Sequence, residues 1–184
     1  MALTVITPPS ASPAVTQAEA KRWCGIAAAD TAFDDLIDDL LASATLEVEE
    51  LIGRAIGAQT LRLTLDGFPD TIELPKGPVS SVTSVTYYDA AGALQTASAD
   101  LYTTDLVSDP QWIVLNDGEV WPDTLDAVNV VLVLYVTGYG ANVPAPIKQA
   151  IRMLVAARFE NRLAAMPEAV MALVEPYRAG WFAA

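Results

Sequence analysis

The sequence predicts an α+β protein: a helical part, with two N-terminal and one or two C-terminal helices, and a small antiparallel β-sheet part inserted between them. Three observations predict it. Apolar residues recur at steps of three and four between about residues 32 and 54, the mark of an amphipathic helix. Between about 60 and 137 the period becomes two, interrupted by Gly, Pro and Asp turns. A Pro-led helical stretch follows from about 146. With 184 residues and an apolar fraction of 53%, the chain can bury a true core.

The elements follow in order. Residues 1–15, MALTVITPPSASPAV, hold three prolines and no charged side chain. They predict an extended N-terminal arm preceding a single domain over 16–184. The arm is either disordered or laid across a neighbouring subunit. Thr16 and Glu19 make a T-x-x-E capping box, which starts a short helix over about 16–23 that Gly25 ends. A second helix spans about 32–54. Phe33, Leu36, Ile37, Leu40, Leu41, Ala44, Val48, Leu51 and Ile52 form its apolar stripe, and Gly53 and Gly57 close it. Asp34, Asp35, Asp38 and Asp39 lie off that stripe in the first turns, where the helix dipole favours negative charge.

The β-rich part runs over about 60–137. Leu61, Leu63 and Leu65 alternate, Asp66-Gly67-Phe68-Pro69 turns, and Ile72 and Leu74 make a short strand. Val79 to Tyr88 alternates again, with Val79, Ser81, Thr83, Val85 and Tyr87 on one side, and Asp89 to Gly92 is a hairpin-like turn. Leu101–Thr104 and Trp112–Leu115 are further short strands. Val128 to Thr137 is the strongest, apolar on both faces and so expected at the centre of its sheet.

The segment YVTGYGANVPAPIKQAI, residues 135–151, is a strand-to-helix corner. Gly138 and Gly140 permit positive φ, Pro144 stiffens the approach, and Pro146 suits the start of a helix over about 146–162. Lys148, Arg152, Arg158 and Arg162 fall within an arc of roughly 120° on that helix. Ile151 and Val155 share the arc. The pattern suits either a helix packed in its domain on one side and against a partner on the other, or an ordinary surface helix whose long basic side chains cover apolar neighbours. A last helix spans about 167–175, followed by Tyr177, Arg178, Trp181 and Phe182. Three aromatics at one end of the sequence either fold back on the core or dock into another chain.

The net charge of −13 argues against a protein that grips nucleic acid by its phosphates. From Pro144 onward five basic residues stand against three acidic ones, so a weakly basic end follows a strongly acidic body. Head-to-tail contact and an accident of solvated faces both fit that distribution. The lone Cys24 allows no intramolecular disulfide, as suits a reducing compartment. No apolar run approaches the ~18 to 20 residues that span a bilayer, and no basic residue precedes Lys21 as a secretory signal would need.

Chemistry is scarce. The sequence has no histidine, which removes the commonest general base and metal ligand. Cys24 therefore has no partner base, and no nucleophile elbow, phosphate loop or zinc spacing is present. The four aspartates of 34–39 lack the glycine turn of a calcium loop and read as a solvated acidic face. Trp112 and Trp121 suit core or turn positions better than a sugar platform. No catalytic, cofactor-binding or metal-binding residue is assigned, and the protein is expected not to be an enzyme.

Taken in order, the capped helix, the acidic helix, TLRLTLDGFPDTIELPKGPVSSVTSVTYYDAAG, WPDT, the long apolar strand, YVTGYGANVPAPIKQAI, FENR and EPYR resemble the head–tail connector (adaptor) family of long-tailed bacteriophages, prophages and gene transfer agents. The resemblance covers about Thr16 to Arg178. It implies a structural virion protein, made in the host bacterial cytoplasm and placed in the virion neck. Such a protein forms a homo-oligomeric ring, usually of twelve copies, beneath the portal at the DNA-exit vertex, with a stopper or tail-completion protein on the other side. DNA passes through the channel without specific binding, and no membrane is involved. By this resemblance Lys148, Arg152, Arg158 and Arg162 are candidates for subunit or portal contact, and Tyr177, Arg178, Trp181 and Phe182 for portal docking. An acidic lumen would repel DNA and let it slide. Two other readings stay open: another neck or tail-completion protein, and a β-sandwich-type module that binds sugar or peptide.

Overall fold

The structure, a computed structural model, describes residues 1–9 and 14–180. These form two units, one from residues 1–9 and 58–138, the other from 14–57 and 139–180. The first is all β and the second helical, so the fold is α+β as the periodicities predict.

In the β unit eight strands make two antiparallel sheets: β1 (Ala2–Thr7), β2 (Gln59–Leu65), β3 (Thr71–Leu74), β4 (Val79–Tyr88), β5 (Leu94–Thr96), β6 (Tyr102–Asp105), β7 (Gln111–Leu115) and β8 (Val131–Thr137). One sheet has the order β1-β2-β8-β4-β5 and the other β3-β7-β6. The apolar strand β8 is central, as expected, held by β2 on one side and β4 on the other. Its buried residues are Val131, Val133, Tyr135 and Thr137, while Leu132, Leu134 and Val136 are half-buried. Val131, Val133 and Tyr135 share one core with Leu61 and Leu63 of β2 and with Ile72, Leu74 and Ile113 of the smaller sheet.

Strand β4 departs from simple alternation. Two bulges, between Val79 and Ser81 and between Val82 and Ser84, shift its register on β8. Each bulge adds a residue and turns the following side chains to the opposite face. Val79, Val82, Val85 and Tyr87 consequently face the same side as Thr137, Tyr135, Val133 and Val131. Strict period-two reading places Val82 on the wrong side. Beside this core Trp121 stacks on Phe68 (4.4 Å between centroids, 4° between planes) and lies near Tyr102. It is a packing residue, as its turn-like context suggests.

The uncharged first stretch is extended over Ala2–Thr7 and pairs with β2 in register, Ala2 opposite Thr64 and Val5 opposite Leu61. The sequence signalled the extension but not the pairing, because β1 has no alternation to read: all six of its residues are exposed.

The helical unit contains α1 (Gln17–Trp23), α2 (Asp34–Ile52), α3 (Ala145–Glu160) and α4 (Glu168–Val174). Thr16 caps α1 with the predicted box. Its hydroxyl accepts from the Glu19 amide, and the Glu19 carboxylate accepts from the Thr16 amide at 2.9 Å. Gly53 takes the left-handed conformation (φ 67°) that ends α2. Ile37, Leu41, Ala44, Val48 and Ile52 of α2 are buried against Ile147, Ala150, Ile151, Leu154 and Val155 of α3 and against Val170 and Val174 of α4. At the corner Gly138 and Gly140 both have positive φ, 109° and 56°. Ala145 opens α3 and Pro146 is its second residue, where a missing N–H still costs nothing because the first four amides have no helical acceptor.

Hydrogen bonds from Thr16, and then the Arg152 charge, hold the Glu19 carboxyl below the usual carboxylate value. A lowered folded pKa contributes stability that is present above the unfolded value and is lost as pH falls through the folded one. The melting temperature of the helical unit should therefore drop as pH is lowered below about 4.5, the group's ordinary value. Glu19→Gln should flatten that part of the curve, and an unchanged acid limb in the variant would refute the assignment.

Candidate functional site

The four basic residues of the predicted arc do not stand alike. Helix α3 stops at Glu160, so Arg162 lies two residues beyond it, exposed, in the turn that follows. Lys148, Arg152 and Arg158 are on α3 and half-buried. The buried stripe of α3 runs through Ile151 and Val155, the two apolar members of the arc, so the cations border the core instead of facing away from it.

Two of them are held inside the helical unit. Arg152 donates from Nη2 to Glu19 Oε1 of α1 at 2.5 Å, and Arg158 Nη2 lies 2.5 Å from Glu47 Oε2 of α2. The Arg152 Nε is buried without a hydrogen-bond partner. The same carboxylate of Glu19 thus closes the capping box and receives Arg152, tying α1 to α3. With Arg22 and the exposed Trp23 these residues line a cleft of about 510 Å3. Lys148 and Arg162 form no ion pair among the described residues, so their charges are open to another molecule.

The pair between Arg158 and Glu47 is partly exposed, 20% and 36% for the two side chains, so its strength is modest. Arg158 also sits in the last turn of α3, where the helix dipole favours a cation. Arg158→Glu should destabilise the helical unit by about 1–1.5 kcal/mol, combining like-charge contact with Glu47 and the reversed dipole term. Adding Glu47→Arg should recover roughly half of that. Thermal denaturation of the single and double variants checks it, and a double variant no better than the single would show that the pair contributes nothing.

Of the C-terminal candidates, Tyr177 packs half-buried against the helical core, and its carbonyl accepts from Arg54 Nε at 2.8 Å. Arg178 is exposed and lies 3.4 Å from Glu175. Trp181 and Phe182 lie outside the described residues.

Three charged residues that the sequence did not single out are buried: Lys21, Glu49 and Arg54. Lys21 Nζ donates to the carbonyls of Ala28 and Asp30 and to Asp34 Oδ1, at 3.3, 2.5 and 2.6 Å. It gathers the connection between α1 and α2 around one ammonium. Glu49 Oε1 accepts from the Ile56 amide at 2.8 Å, just past the end of α2. A signal existed for Glu49, which lies at the edge of the apolar stripe beside Val48 and Ile52. None existed for Lys21, whose partners are two carbonyls of the connection and the carboxylate of Asp34 at the start of α2. Elsewhere burial raises the Cys24 thiol, with a contribution from Glu160, which makes it a poor nucleophile at neutral pH.

No protein-family model and no curated protein matches the chain. Solved structures do, along nearly the whole length of both partners. The chain is similar to a protein in the neck of an empty gene transfer agent particle computed with C6 symmetry, at 25% identity and a TM-score of 0.82. It is similar to one in the virion of a native gene transfer agent particle at 27% identity and a TM-score of 0.78. It is similar to one in the neck of a native particle computed with C12 symmetry at 25% identity and a TM-score of 0.72. In each case the likeness covers 97% of this chain and 96% of the other. Such coverage takes in the β strands and the helices together, in agreement with the resemblance carried by the sequence motifs, and the likeness supports a gene transfer agent neck or head–tail connector family and a place in the virion neck for this chain.

Proposed function

We propose that this chain is the head–tail adaptor of its particle, a ring of twelve copies between the portal and the stopper or tail-completion protein at the DNA-exit vertex. The observation that carries the reading is the end-to-end likeness to neck proteins, one of them in a neck computed with C12 symmetry. The work of such a protein is done by fit between surfaces, not by bond-breaking. Its acidic surface, with a net charge of −13, leaves passing DNA without a phosphate grip.

Lys148 and Arg162 are the candidate contacts to the portal or to a neighbouring copy, since Arg152 and Arg158 are engaged within the helical unit. Tyr177 and Arg178, with Trp181 and Phe182, remain candidates for portal docking. The test is co-expression with the portal protein of the same particle, followed by negative-stain microscopy. A ring on the portal supports the proposal. A chain that stays apart from the portal and is absent from purified particles refutes it. Lys148→Glu with Arg162→Glu should leave the circular dichroism spectrum unchanged and reduce the portal-bound fraction. Unimpaired binding would remove these two cations from the interface.

A further inference from the structure

We infer that β1 is a joint between copies of this chain: its outer edge lies against the outer edge of β5 in the neighbouring copy, so that the five-stranded sheet continues from one subunit to the next. The inference rests on the ring reading above and says which surfaces make the ring.

Four observations lead to it. First, β1 and β5 are the two ends of the order β1-β2-β8-β4-β5, and on their outer sides neither pairs with a strand among the described residues. Such an edge offers unpaired N–H and C=O groups to any strand that approaches. Second, every residue of both strands is exposed, including Leu3, Val5, Ile6 and Leu94. Edges that stay single are ordinarily blunted by lysine, proline, a bulge or extreme shortness. In β1 only the far end is so treated, by the irregularity between Val5 and Thr7 and by Pro8, which leaves Ala2 to Val5 open. β5 carries no lysine, proline or bulge, but at three residues it is short by the same measure, which limits the joint to about that length.

Third, the rest of the β unit repels its copies. Residues 1–9 and 58–138 carry eleven acidic and two basic side chains, while Ala2–Thr7 and Leu94–Thr96 carry none. Two such bodies approach with least electrostatic cost where both surfaces are free of charge. Fourth, the geometry suits a ring. A cyclic assembly joins two different patches of the same chain, whereas a two-fold dimer joins a patch to itself. The successive antiparallel pairings make β1 and β5 run in the same direction within one subunit. A modest rotation about a ring axis keeps that direction, so β5 meets the next β1 as a parallel pair. Pairing β1 with β1 would be antiparallel and would close after two copies.

The test uses two variants, both with Cys24→Ser: one with Thr4→Cys and one with Thr96→Cys. Particles are produced with the two variants in equal amounts, and purified particles are treated with a short bismaleimide, whose reach spans the ~4.8 Å between paired strands with allowance for register. If copies mix at random, about a quarter of the joints carry a thiol on both sides. The expected result is a covalent dimer of this chain in the mixture and none with either variant alone. Particles that contain the chain yet give no such dimer would overturn the joint and leave the neck reading standing. A dimer with Thr4→Cys alone, or a link from it to a different protein, would assign that edge to another contact. Particles that lack the wild-type chain altogether would count against the neck reading itself.

Discussion

Lys21→Ala should destabilise the helical unit by about 3 kcal/mol, in the range expected when one member of a buried charged cluster is removed. The residue is only 3% exposed, yet its ammonium meets three oxygens, two carbonyls and the Asp34 carboxylate. Removing it leaves two carbonyls and a carboxylate without their shared donor, and alanine does not fill the space of the lost stem. Asp34 is 29% exposed, so water reaches its carboxylate and keeps the cost toward the low end. Lys21→Met separates the causes: it keeps the aliphatic stem and removes the charge. Because the loss lies mainly in the unsatisfied oxygens, methionine should recover less than half of it. Urea unfolding followed by far-UV circular dichroism is the measurement. A methionine variant as stable as the wild type would show that the stem, not the ammonium, organises the connection between α1 and α2.

An effect of similar or larger size is expected at the centre of the β unit. Tyr135 is fully buried in β8, between β2 and β4, and its hydroxyl donates to the Pro75 carbonyl at 2.8 Å. Tyr135→Ala opens a cavity in a core shared by both sheets, and should cost about 4 kcal/mol. Tyr135→Phe removes only the hydroxyl and should cost about 1 kcal/mol. Burial raises the phenol above its ordinary value of 10.0. A raised folded pKa means that stability is present below the unfolded value and falls as pH climbs from there toward the folded one. The wild type should thus lose stability above about pH 10, and Tyr135→Phe should lose less. An alkaline limb of the same slope in both would mean that Tyr135 does not supply the loss.

Much of the fold was legible because much of it is local. The Thr16–Glu19 box, the stripe of α2, the turn at Asp89–Gly92 and the positive φ of Gly138 and Gly140 each depend on residues a few positions apart. Where reading failed, the deciding contact was distant in sequence. Strand β8 is apolar on both faces, so alternation showed that it has two faces but not which one meets the second sheet. The choice fell to the Val131, Val133 and Tyr135 face because Ile72, Leu74 and Ile113 cover it. The bulges of β4 left their mark as valines at every third position, Val79, Val82 and Val85, a spacing that period two cannot express. Of the candidate site, helical periodicity grouped Lys148, Arg152, Arg158 and Arg162, but could not see that α3 ends before Arg162. Nor could it pair Arg152 with Glu19, 133 positions away.

By itself, then, the order of residues determined where helices and strands form, how several of them begin and end, and that the chain resembles a neck connector. Those properties follow from steric and capping preferences that act within a turn or two. Tertiary structure alone decided which apolar face became core, which cations were neutralised from within, and which sheet edges were left open. Those outcomes depend on what lies opposite a side chain in space, because desolvation and ion pairing act across distances of a few ångströms whatever the separation along the chain.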